Sequence, residues 1–496
     1  MGLSSRSSVR TVLGFSGSLL MVLGLIMLLP ILVGTLFSEH DSTSSTVSAF
    51  ALPAGGSVIL GALLRAIFRP RAPTVAQAML LCGLAWFILS LVGAIPFVLS
   101  GTTGFLDGYF ETVSGFTTTG ITMITGLDDL PRSIIFWRAL TQWVGGLGIL
   151  TFFLAVTAEV PGAHNIYGAE THKIDSGRPV PGMAHTVRIL WLIYTLFTLL
   201  IIGLLHFFGT SLFDSVCHSF TALSTGGFSP YDASIAQYGQ TGTAQYRAVE
   251  YVLILGMFLG GTSFIVHYRV LSGRPMALFR GLEVRLWWAI LVGCTGLILV
   301  ERWASGAFGG AESEFRTALF QVVSIATTTG FGTRDIAAPH FGGLARMLFL
   351  ALMVVGGCTG STGGGVKVMR VGILWRQLKQ ELRRLYLPRR AIKRTVVDGQ
   401  LLDPAEAHRV SSLFFGWMIL LLVGAAVTVI LSEHGPLESA SGMFSALGNI
   451  GPCYISVADM GQLDPVIKLV YIFGMVAGRL EILPVLLLFS GRAWKS

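Results

Sequence analysis

The chain has 496 residues, of which 53% are hydrophobic and only 12% are charged. A soluble domain carries about 25% charged residues, so this composition excludes an ordinary soluble protein and indicates a membrane protein. The net charge of +8 lies in short loops between apolar segments, which argues against nucleic acid as a partner. The five cysteines are scattered and show neither a metal-ligand spacing nor a disulfide framework.

Many apolar stretches approach the roughly 20 residues that a helix needs to cross hydrocarbon. In chain order the sequence predicts spans near 11–37, 47–68, 76–100, 134–159, 186–208, 248–271, 285–303, 343–376, 409–431 and 464–490. Four segments of about 11 residues are too short to cross the bilayer and are predicted to be re-entrant half-helices. They lie near 106–117, 213–224, 314–327 and 437–448. The expected fold is an all-α polytopic membrane protein.

Basic residues cluster in alternate loops, which the positive-inside rule places in the cytoplasm. The densest cluster follows the eighth span: Lys367, Arg370, Arg376, Lys379, Arg383, Arg384, Arg389, Arg390, Lys393 and Arg394. Smaller clusters include Lys173 and Arg178, whereas the opposite loops carry acids such as Glu39, Asp41 and Asp107. Both termini are therefore predicted to be cytoplasmic, and the half-helices are predicted to enter from an acidic outer side. The basic segment 376–394 is expected to lie near anionic lipid, in a region that also suits docking of a soluble regulator.

The four half-helices end in loops that align without gaps on one glycine: Gly120, Gly227, Gly330 and Gly451. Six residues before each glycine stands a small hydroxyl residue, and the pattern recurs about every 100 to 120 residues, which indicates repeated architecture. Each unit reads span, half-helix, glycine loop, span. We predict a helix pair in residues 1–70, followed by four pore repeats in residues 71–165, 166–280, 281–400 and 401–496.

These loops suit a cation. A bare potassium ion must exchange its water shell for several oxygens, which rings of backbone carbonyls supply in known filters, and glycine tolerates the backbone angles that this requires. A half-helix also aims its partly negative C-terminal end at the loop. The predicted ion-binding residues are Thr118, Thr119, Gly120, Thr225, Gly226, Gly227, Thr328, Thr329, Gly330, Asn449, Ile450 and Gly451. The alternative, close helix contacts through small residues, would not by itself produce four aligned loops on one side.

The span near 343–376 would be about 50 Å long as a helix, more than the roughly 30 Å hydrocarbon core. Its glycine run predicts a break, because each glycine costs about 1 kcal/mol relative to alanine, and unwound backbone survives only against protein or a water-filled cavity. We predict a gate loop across the pore, or alternatively a packing face. The gate residues are Gly356, Gly357, Thr359, Gly360, Ser361, Thr362, Gly363, Gly364, Gly365 and Lys367.

Arg479 is added to the predicted gate because it lies near the middle of the last apolar span. A charge there costs about 3 kcal/mol or more unless it faces water or a partner. It is either a barrier to cations below the filter or a structural residue that reaches the gate loop or a carboxylate, and both remain open. Arg138 and Lys468, nearer the outer ends of their spans, are interpreted as snorkelling residues.

The fourfold unit with its Thr-Thr-Gly, Thr-Gly-Gly and Asn-Ile-Gly loops resembles the TrkH/TrkG/KtrB superfamily of potassium transporters over nearly all of the chain. The run Gly356–Lys367 looks like the family's intramembrane loop, and Gly478-Arg479-Leu480-Glu481 looks like the signature of its final helix. The N-terminal helix pair resembles the Trk branch. Cys453 departs from the family pattern, since a small glycine is more usual there.

This resemblance implies potassium as the transported ion, bound in the filter, and no other cofactor. It implies a homodimer in the bacterial inner membrane with one pore per subunit, and a cytoplasmic regulatory ring of the TrkA kind with nucleotide-binding domains. A sodium- or proton-coupled transporter of a small solute is the alternative function, although such proteins use inverted repeats. No nucleophile pairs by motif with His206, His218 or His267, so we expect no enzyme activity.

Overall fold

The computed structural model describes residues 3–37, 43–69, 72–148, 151, 183–243, 245–386 and 396–495. Within these ranges the chain is helical apart from short loops, three 3₁₀ turns and one two-stranded hairpin, which confirms the predicted all-α fold. We call the two ends of the molecule outer and inner, following the orientation that the charges predict. The helices are α1 (Leu3–Ile26), α2 (Leu29–Leu36), α3 (Thr43–Phe68), α4 (Val75–Gly93), α5 (Ile95–Leu99), α6 (Phe105–Phe116), α7 (Arg132–Gly146), α8 (Met183–Phe207), α9 (Leu212–Leu223), α10 (Ala236–Gln240), α11 (Tyr246–Gly261), α12 (Phe264–Leu271), α13 (Leu282–Ala304), α14 (Ala311–Ala326), α15 (Gly343–Val354), α16 (Val368–Arg384), α17 (Pro404–Leu431), α18 (Pro436–Gly448), α19 (Val457–Gln462), α20 (Pro465–Arg479) and α21 (Leu483–Leu487).

Six helical segments among the described residues are long and apolar enough to cross a membrane, or seven if the bent pair of α11 and α12 counts as one span. They correspond to six of the predicted spans and include the two N-terminal helices that precede the repeats. Their bounds are Ser8–Leu36, Val47–Phe68, Val75–Leu99, His185–Phe207, Leu282–Ala304 and Pro404–Leu431. The chain is therefore a multi-pass membrane protein.

The other four predicted spans are the second spans of the repeats, and all four stop short. They appear as α7, α11, α15 and α20, with 12 to 16 residues each. Only the break after α15 was predicted. The expected continuous span 248–271 is wrong, because α11 turns by 103° into α12, and span 464–490 is interrupted at Leu480–Ile482. The inner part of span 134–159 lies outside the described residues.

Three of these helices pack closely against the half-helices near the point where they stop. Each of the three helices has a glycine near its end, and this glycine lies against a backbone carbonyl of the half-helix in the same repeat. The carbonyl belongs to the residue four positions before the aligned glycine of that repeat. A Cβ atom at these glycines would collide with that carbonyl, so no larger residue fits without a shift. The three contacts are Gly145 with Phe116, Gly260 with Leu223, and Gly478 with Leu447.

The predicted half-helices are present as α6, α9, α14 and α18, within a few residues of the expected bounds. Each carries an acidic residue in its first turn, which favours the partly positive N-terminal end. The third is the longest, with 16 residues, and begins at Ala311. The division of the chain into five domains remains a prediction.

A hairpin at the inner end was not predicted. Strands β1 (Val396–Val397) and β2 (Gln400–Leu401) pair antiparallel. Both turn residues, Asp398 and Gly399, have positive φ angles of 48° and 83°, as a two-residue type I′ turn requires. Several charges that set the predicted orientation lie outside the described residues: Glu39, Asp41, Lys173, Arg178, Arg389, Arg390, Lys393 and Arg394.

Candidate ion pathway

The tertiary structure brings the four glycine loops together in a closed ring. If an aligned glycine carried a Cβ, this atom would face a carbonyl oxygen of the next loop. That carbonyl belongs to the residue just before the aligned glycine of the next loop. Three of these approaches are too close for any Cβ, and the fourth, from Gly451 to Thr119, leaves 3.1 Å. The order around the ring is Gly120 to Gly226, Gly227 to Thr329, Gly330 to Ile450, and Gly451 to Thr119.

The loops share one backbone conformation. Two residues before each aligned glycine stands a residue with φ between 54° and 61°: Thr118, Thr225, Thr328 and Asn449. The aligned glycines have φ between 74° and 107°. Positive φ is unusual for a β-branched residue and is strained, so three threonines in this state mean that the surrounding packing imposes the conformation.

The ends of the half-helices are capped in the same way in all four repeats. The N–H of the residue before each aligned glycine donates to the carbonyl five positions earlier, as in a Schellman cap. The four bonds are Thr119 to Ser114 (2.8 Å), Gly226 to Thr221 (2.8 Å), Thr329 to Ser324 (2.8 Å) and Ile450 to Ser445 (3.0 Å). These acceptors form the column of hydroxyl residues seen in the sequence. In addition, the Ser445 hydroxyl accepts the Gly451 N–H at 3.0 Å, so this side chain braces its own loop.

The ring is not fourfold identical. In the first and third loops two threonine hydroxyls meet at 2.7 Å, Thr117 with Thr119 and Thr327 with Thr329. The fourth loop has Gly448 and Ile450 at these two positions and lacks the pair. Its Asn449 amide instead donates to the Thr119 hydroxyl at 2.9 Å and so ties the fourth loop to the first.

The second loop is held by a residue that the sequence analysis missed. The Gln142 amide donates to the Gly226 carbonyl at 2.6 Å and accepts the Phe228 N–H at 3.0 Å. It is fully buried on α7. A glutamine inside an apolar span was the available signal, because a buried amide needs partners.

A cavity of about 1030 Å³ opens above the ring and is lined by all four aligned glycines. Its wall carries acids and bases together: Asp232, Glu250, Asp335, Arg138, Arg316 and Arg334. Asp107, one of the acids of the predicted outer side, accepts a hydrogen bond from the Lys468 ammonium group at 2.6 Å. The entrance is therefore mixed in sign rather than acidic.

Arg138 and Lys468 do not snorkel. Arg138 is 1% exposed and forms an ion pair with the buried Glu111 at 2.8 Å. It also donates to the Ser229 carbonyl at 2.9 Å, across to the second repeat. The pair therefore fixes two repeats to each other beside the ring. Lys468 is 6% exposed and is held by Asp107 and the Gly461 carbonyl.

We expect Arg138→Ala to lower the free energy of unfolding by about 3 to 5 kcal/mol, because it leaves the Glu111 carboxylate buried without its partner. The measurement is the melting temperature of the detergent-solubilised protein. Removing both charges, in Arg138→Leu with Glu111→Leu, should recover much of the loss. Arg247→Ala is the control, since its ion pair with Glu312 is exposed and long at 3.8 Å, and it should melt like the wild type. Equal melting temperatures for both alanine variants would contradict this reading.

Between α15 and α16 the chain runs without helix from Val355 to Lys367, directly beneath the ring. The loop contacts the ring itself: the Gly364 N–H donates to the Thr328 hydroxyl at 2.8 Å, and the Thr225 hydroxyl donates to the Thr362 hydroxyl at 3.2 Å. The predicted gate residues between Gly356 and Lys367 all lie in this non-helical segment. The predicted break in the helix is therefore present, and its contacts place unwound backbone against the second and third loops of the ring.

The broken helix of the second repeat supplies partners for this loop. Because α11 ends at Gly261, its last carbonyls are free of helical partners. Gly260 accepts the Thr362 N–H at 3.1 Å, and Gly261 accepts the Cys358 N–H at 2.9 Å. The Thr362 hydroxyl adds bonds of 2.9 Å to the carbonyls of Gly260 and Leu223. The break at α11 and the loop thus satisfy each other's backbone groups.

Arg479 reaches the loop from the opposite side. Its guanidinium donates to the Thr362 carbonyl and to the carbonyls of Gly145, at 2.7 Å, and Gly146. It therefore bridges the loop and the C-terminal end of α7, where a cation is favoured. Glu481 pairs with Arg370 at the start of α16. On the inner side of the loop, Arg479 and Lys367 line a much smaller cavity of about 100 Å³.

The sequence matches the family described as TrkH, a cation transport protein, over residues 56–496. The chain belongs to the TrkH family. The Trk system potassium uptake protein TrkH of Salmonella typhimurium is 31% identical over 98% of this chain and 99% of its own length. The protein of that name from Halomonas elongata is 32% identical over 98% of this chain and 100% of its own.

Solved structures agree with this membership. The crystal structure of the potassium transporter TrkH from Vibrio parahaemolyticus matches with a TM-score of 0.86 at 29% identity, covering 98% of this chain and 99% of that one. The predicted family is confirmed. These TrkH relatives are named as transport proteins, in keeping with the expectation that the chain is not an enzyme.

Proposed function

We propose that this protein takes up potassium across the bacterial inner membrane through a single pore, with the ring as its selectivity filter. The observation that carries the proposal is the cyclic contact of four loops with one shared backbone conformation. Backbone carbonyls of the predicted filter residues would replace the water shell of the ion. The unequal loops, with Asn449 and Ile450 in the fourth, favour weaker discrimination against sodium than in a symmetric filter.

The loop at 356–367 is the proposed gate. It lies under the filter, and hydrogen bonds rather than a packed apolar core hold much of it. A shift of such a loop for a few kcal/mol is within reach of a partner that binds its two states with different affinity. The proposed partner is a TrkA-like cytoplasmic subunit with nucleotide-binding domains. The proposal includes a homodimer and cytoplasmic termini.

Substitutions of Arg479 test how the gate is held shut. Arg479→Ala should raise cation flux by about tenfold, because three carbonyls lose a charged donor. Arg479→Lys keeps the charge but not the planar fork, so it separates the two interpretations. If a positive barrier limits flux, the lysine variant stays like the wild type; if bridging limits it, flux rises in both. Size-exclusion profiles of each variant check folding, and a fall in flux with loss of folded protein in both would leave Arg479 as a structural residue only.

The decisive experiment for the function is growth of a bacterium that lacks potassium uptake. Expression of this chain should restore growth at low potassium, and uptake should respond to potassium and not to added organic solutes. Arg247→Ala, at the exposed ion pair, serves as a variant that should complement fully. Uptake of a small solute driven by sodium or protons, without potassium-dependent growth, would support the coupled transporter instead.

A further inference from the structure

Glu283 holds the proposed gate from the first span of the same repeat. It lies in the first turn of α13 and is 8% exposed. One of its oxygens, Oε1, accepts the Thr359 N–H at 2.6 Å and the Met369 N–H at 3.2 Å. Thr359 is in the loop, and Met369 is in the first turn of α16, so these two donors flank most of the glycine run. A single oxygen atom therefore joins the loop to the start of the helix that follows it.

The residue before Glu283 is attached to the hairpin at the inner end. Asp398, in the hairpin turn, accepts the Leu282 N–H at 2.8 Å and so caps α13 from 116 residues away. Gly281, just before Leu282, has φ of 99°, a backbone conformation that favours glycine. The hairpin and the gate loop are thus bound to consecutive residues of one helix end.

The hairpin also packs on α16, the helix that leaves the loop. An apolar cluster separate from the main core joins the two, made of Ile373, Leu402 and Val410 with Val397 packed against it. Arg376 of α16 donates to the Val396 carbonyl. A displacement of the hairpin therefore acts on α13, which carries Glu283, and on α16, to which Glu283 is bonded. It does so at the face predicted to meet the cytoplasm.

We propose that Glu283 is a latch that holds the gate loop across the pathway, and that the hairpin Val396–Leu401 sets the position of this latch. The inference rests on the proposed gate. Glu283 is a positioning residue, because it binds the loop and not the ion. Loss of its two hydrogen bonds frees the loop, and a regulator that moves the hairpin moves the first turn of α13 and reaches the same bonds.

The first test is potassium flux into proteoliposomes. Glu283→Ala should raise basal flux by about tenfold, which corresponds to about 1.4 kcal/mol. Glu283→Gln should stay within about twofold of the wild type, because both N–H groups bond to one oxygen and the amide oxygen can accept both. Glu301→Ala is the matched control: Glu301, at the outer end of α13, also accepts two backbone N–H groups, from Leu344 at 2.8 Å and Ala345 at 2.9 Å. It should not raise flux.

The second test measures how accessible the loop is to a labelling reagent. Cys358 lies in the loop and is 1% exposed, so a maleimide should label it slowly once Cys82, Cys217, Cys294 and Cys453 have been replaced. Glu283→Ala should speed the labelling of Cys358 by about tenfold, in proportion to the flux, whereas Glu283→Gln and Glu301→Ala should not. If Glu283 only supported the fold, its substitution would change the melting temperature. It would not produce a variant, Glu283→Ala, that labels faster while Glu283→Gln labels like the wild type.

The hairpin is tested at Asp398. Asp398→Gly removes the cap on α13 but keeps the turn, since its φ of 48° suits glycine. This variant should raise flux and weaken the response to the regulatory subunit. Asp403→Ala is its control, because Asp403 is another exposed aspartate at the inner end that caps a helix, α17, through the Ala405 N–H at 3.0 Å. It should leave flux and regulation unchanged.

Unchanged flux and unchanged Cys358 labelling in folded Glu283→Ala protein would overturn the latch. If that variant does not fold, Glu283→Asp decides, since its shorter side chain cannot keep both bonds and must show the same two increases. The deletion of Gly360–Gly365 separates the two proposals. If the deletion raises flux and the Glu283 variants do not, the latch fails and the gate stands; if neither raises flux, the gate itself fails.

Discussion

Serine at Gly120, Gly227 or Gly330 is expected to abolish potassium-dependent uptake at low potassium. A Cβ at each of these positions would collide with a carbonyl of the next loop in the ring. The positive φ angles add about 1 to 2 kcal/mol of strain for any side chain, and overpacking adds about 1 to 3 kcal/mol. Because four loops share one ring, a shift in one loop displaces carbonyls of its neighbour, and discrimination between potassium and sodium should fall as well.

The structure also ranks the four positions. Gly451→Ser should have the smallest effect, since a Cβ there stands 3.1 Å from the Thr119 carbonyl. Gly126→Ser is the control: Gly126 has φ of 73°, yet nothing lies within 4 Å of its Cβ position, so it carries the backbone strain without the collision. The measurements are growth at low potassium and rubidium uptake with sodium as competitor. Unchanged uptake in all four filter variants would remove the filter proposal.

Deleting Gly360–Gly365 is expected to raise flux into proteoliposomes by about tenfold or more, the scale of a shift of one to a few kcal/mol. The deletion removes the Thr362 and Gly364 contacts that bind the loop to the second and third repeats. It should not pull α15 and α16 apart, because the two ends of the loop, at Val355 and Val366, are already paired. Val355 and Val366 form a parallel bridge, and the Gly356 N–H donates to the Val366 carbonyl at 2.9 Å.

Regulation should weaken in the same deletion. Flux is measured with and without the regulatory subunit, and the ratio between the two conditions should approach one as the basal flux rises.

Thr362→Val should give a smaller increase in flux than the deletion, since it removes the hydroxyl bonds to Leu223 and Gly260 while keeping the shape of the side chain. Thr428→Val is its control, because Thr428 is equally buried and donates to Gly424 at 2.9 Å, outside the loop. If basal flux and regulation stay unchanged in the deletion, the loop is a packing element and the gate lies elsewhere.

Tertiary partners account for the errors of the sequence analysis. The apolar run of α11 and α12 is long enough to be one span. Its break at Gly-Gly-Thr-Ser can be explained only when the loop that bonds to Gly260 and Gly261 is known. Glu481 and Ile482 take positive φ angles of 58° and 72° where Glu481 pairs with Arg370. By contrast, the hairpin has a local signal in the sequence, the pair Asp398-Gly399, which favours a two-residue turn.

The sequence by itself determined the length and number of most spans, the four loops and their common glycine, and the break after α15. These depend on local quantities: apolar length, positive φ at glycine, and helix propensity. Only the tertiary structure decided which carbonyl each glycine faces and which partners Arg138, Arg479 and Glu283 have. A buried charge takes its partner from whatever the fold brings near it, here residues from 27 to more than 300 positions away, and the chain order carries no trace of that choice.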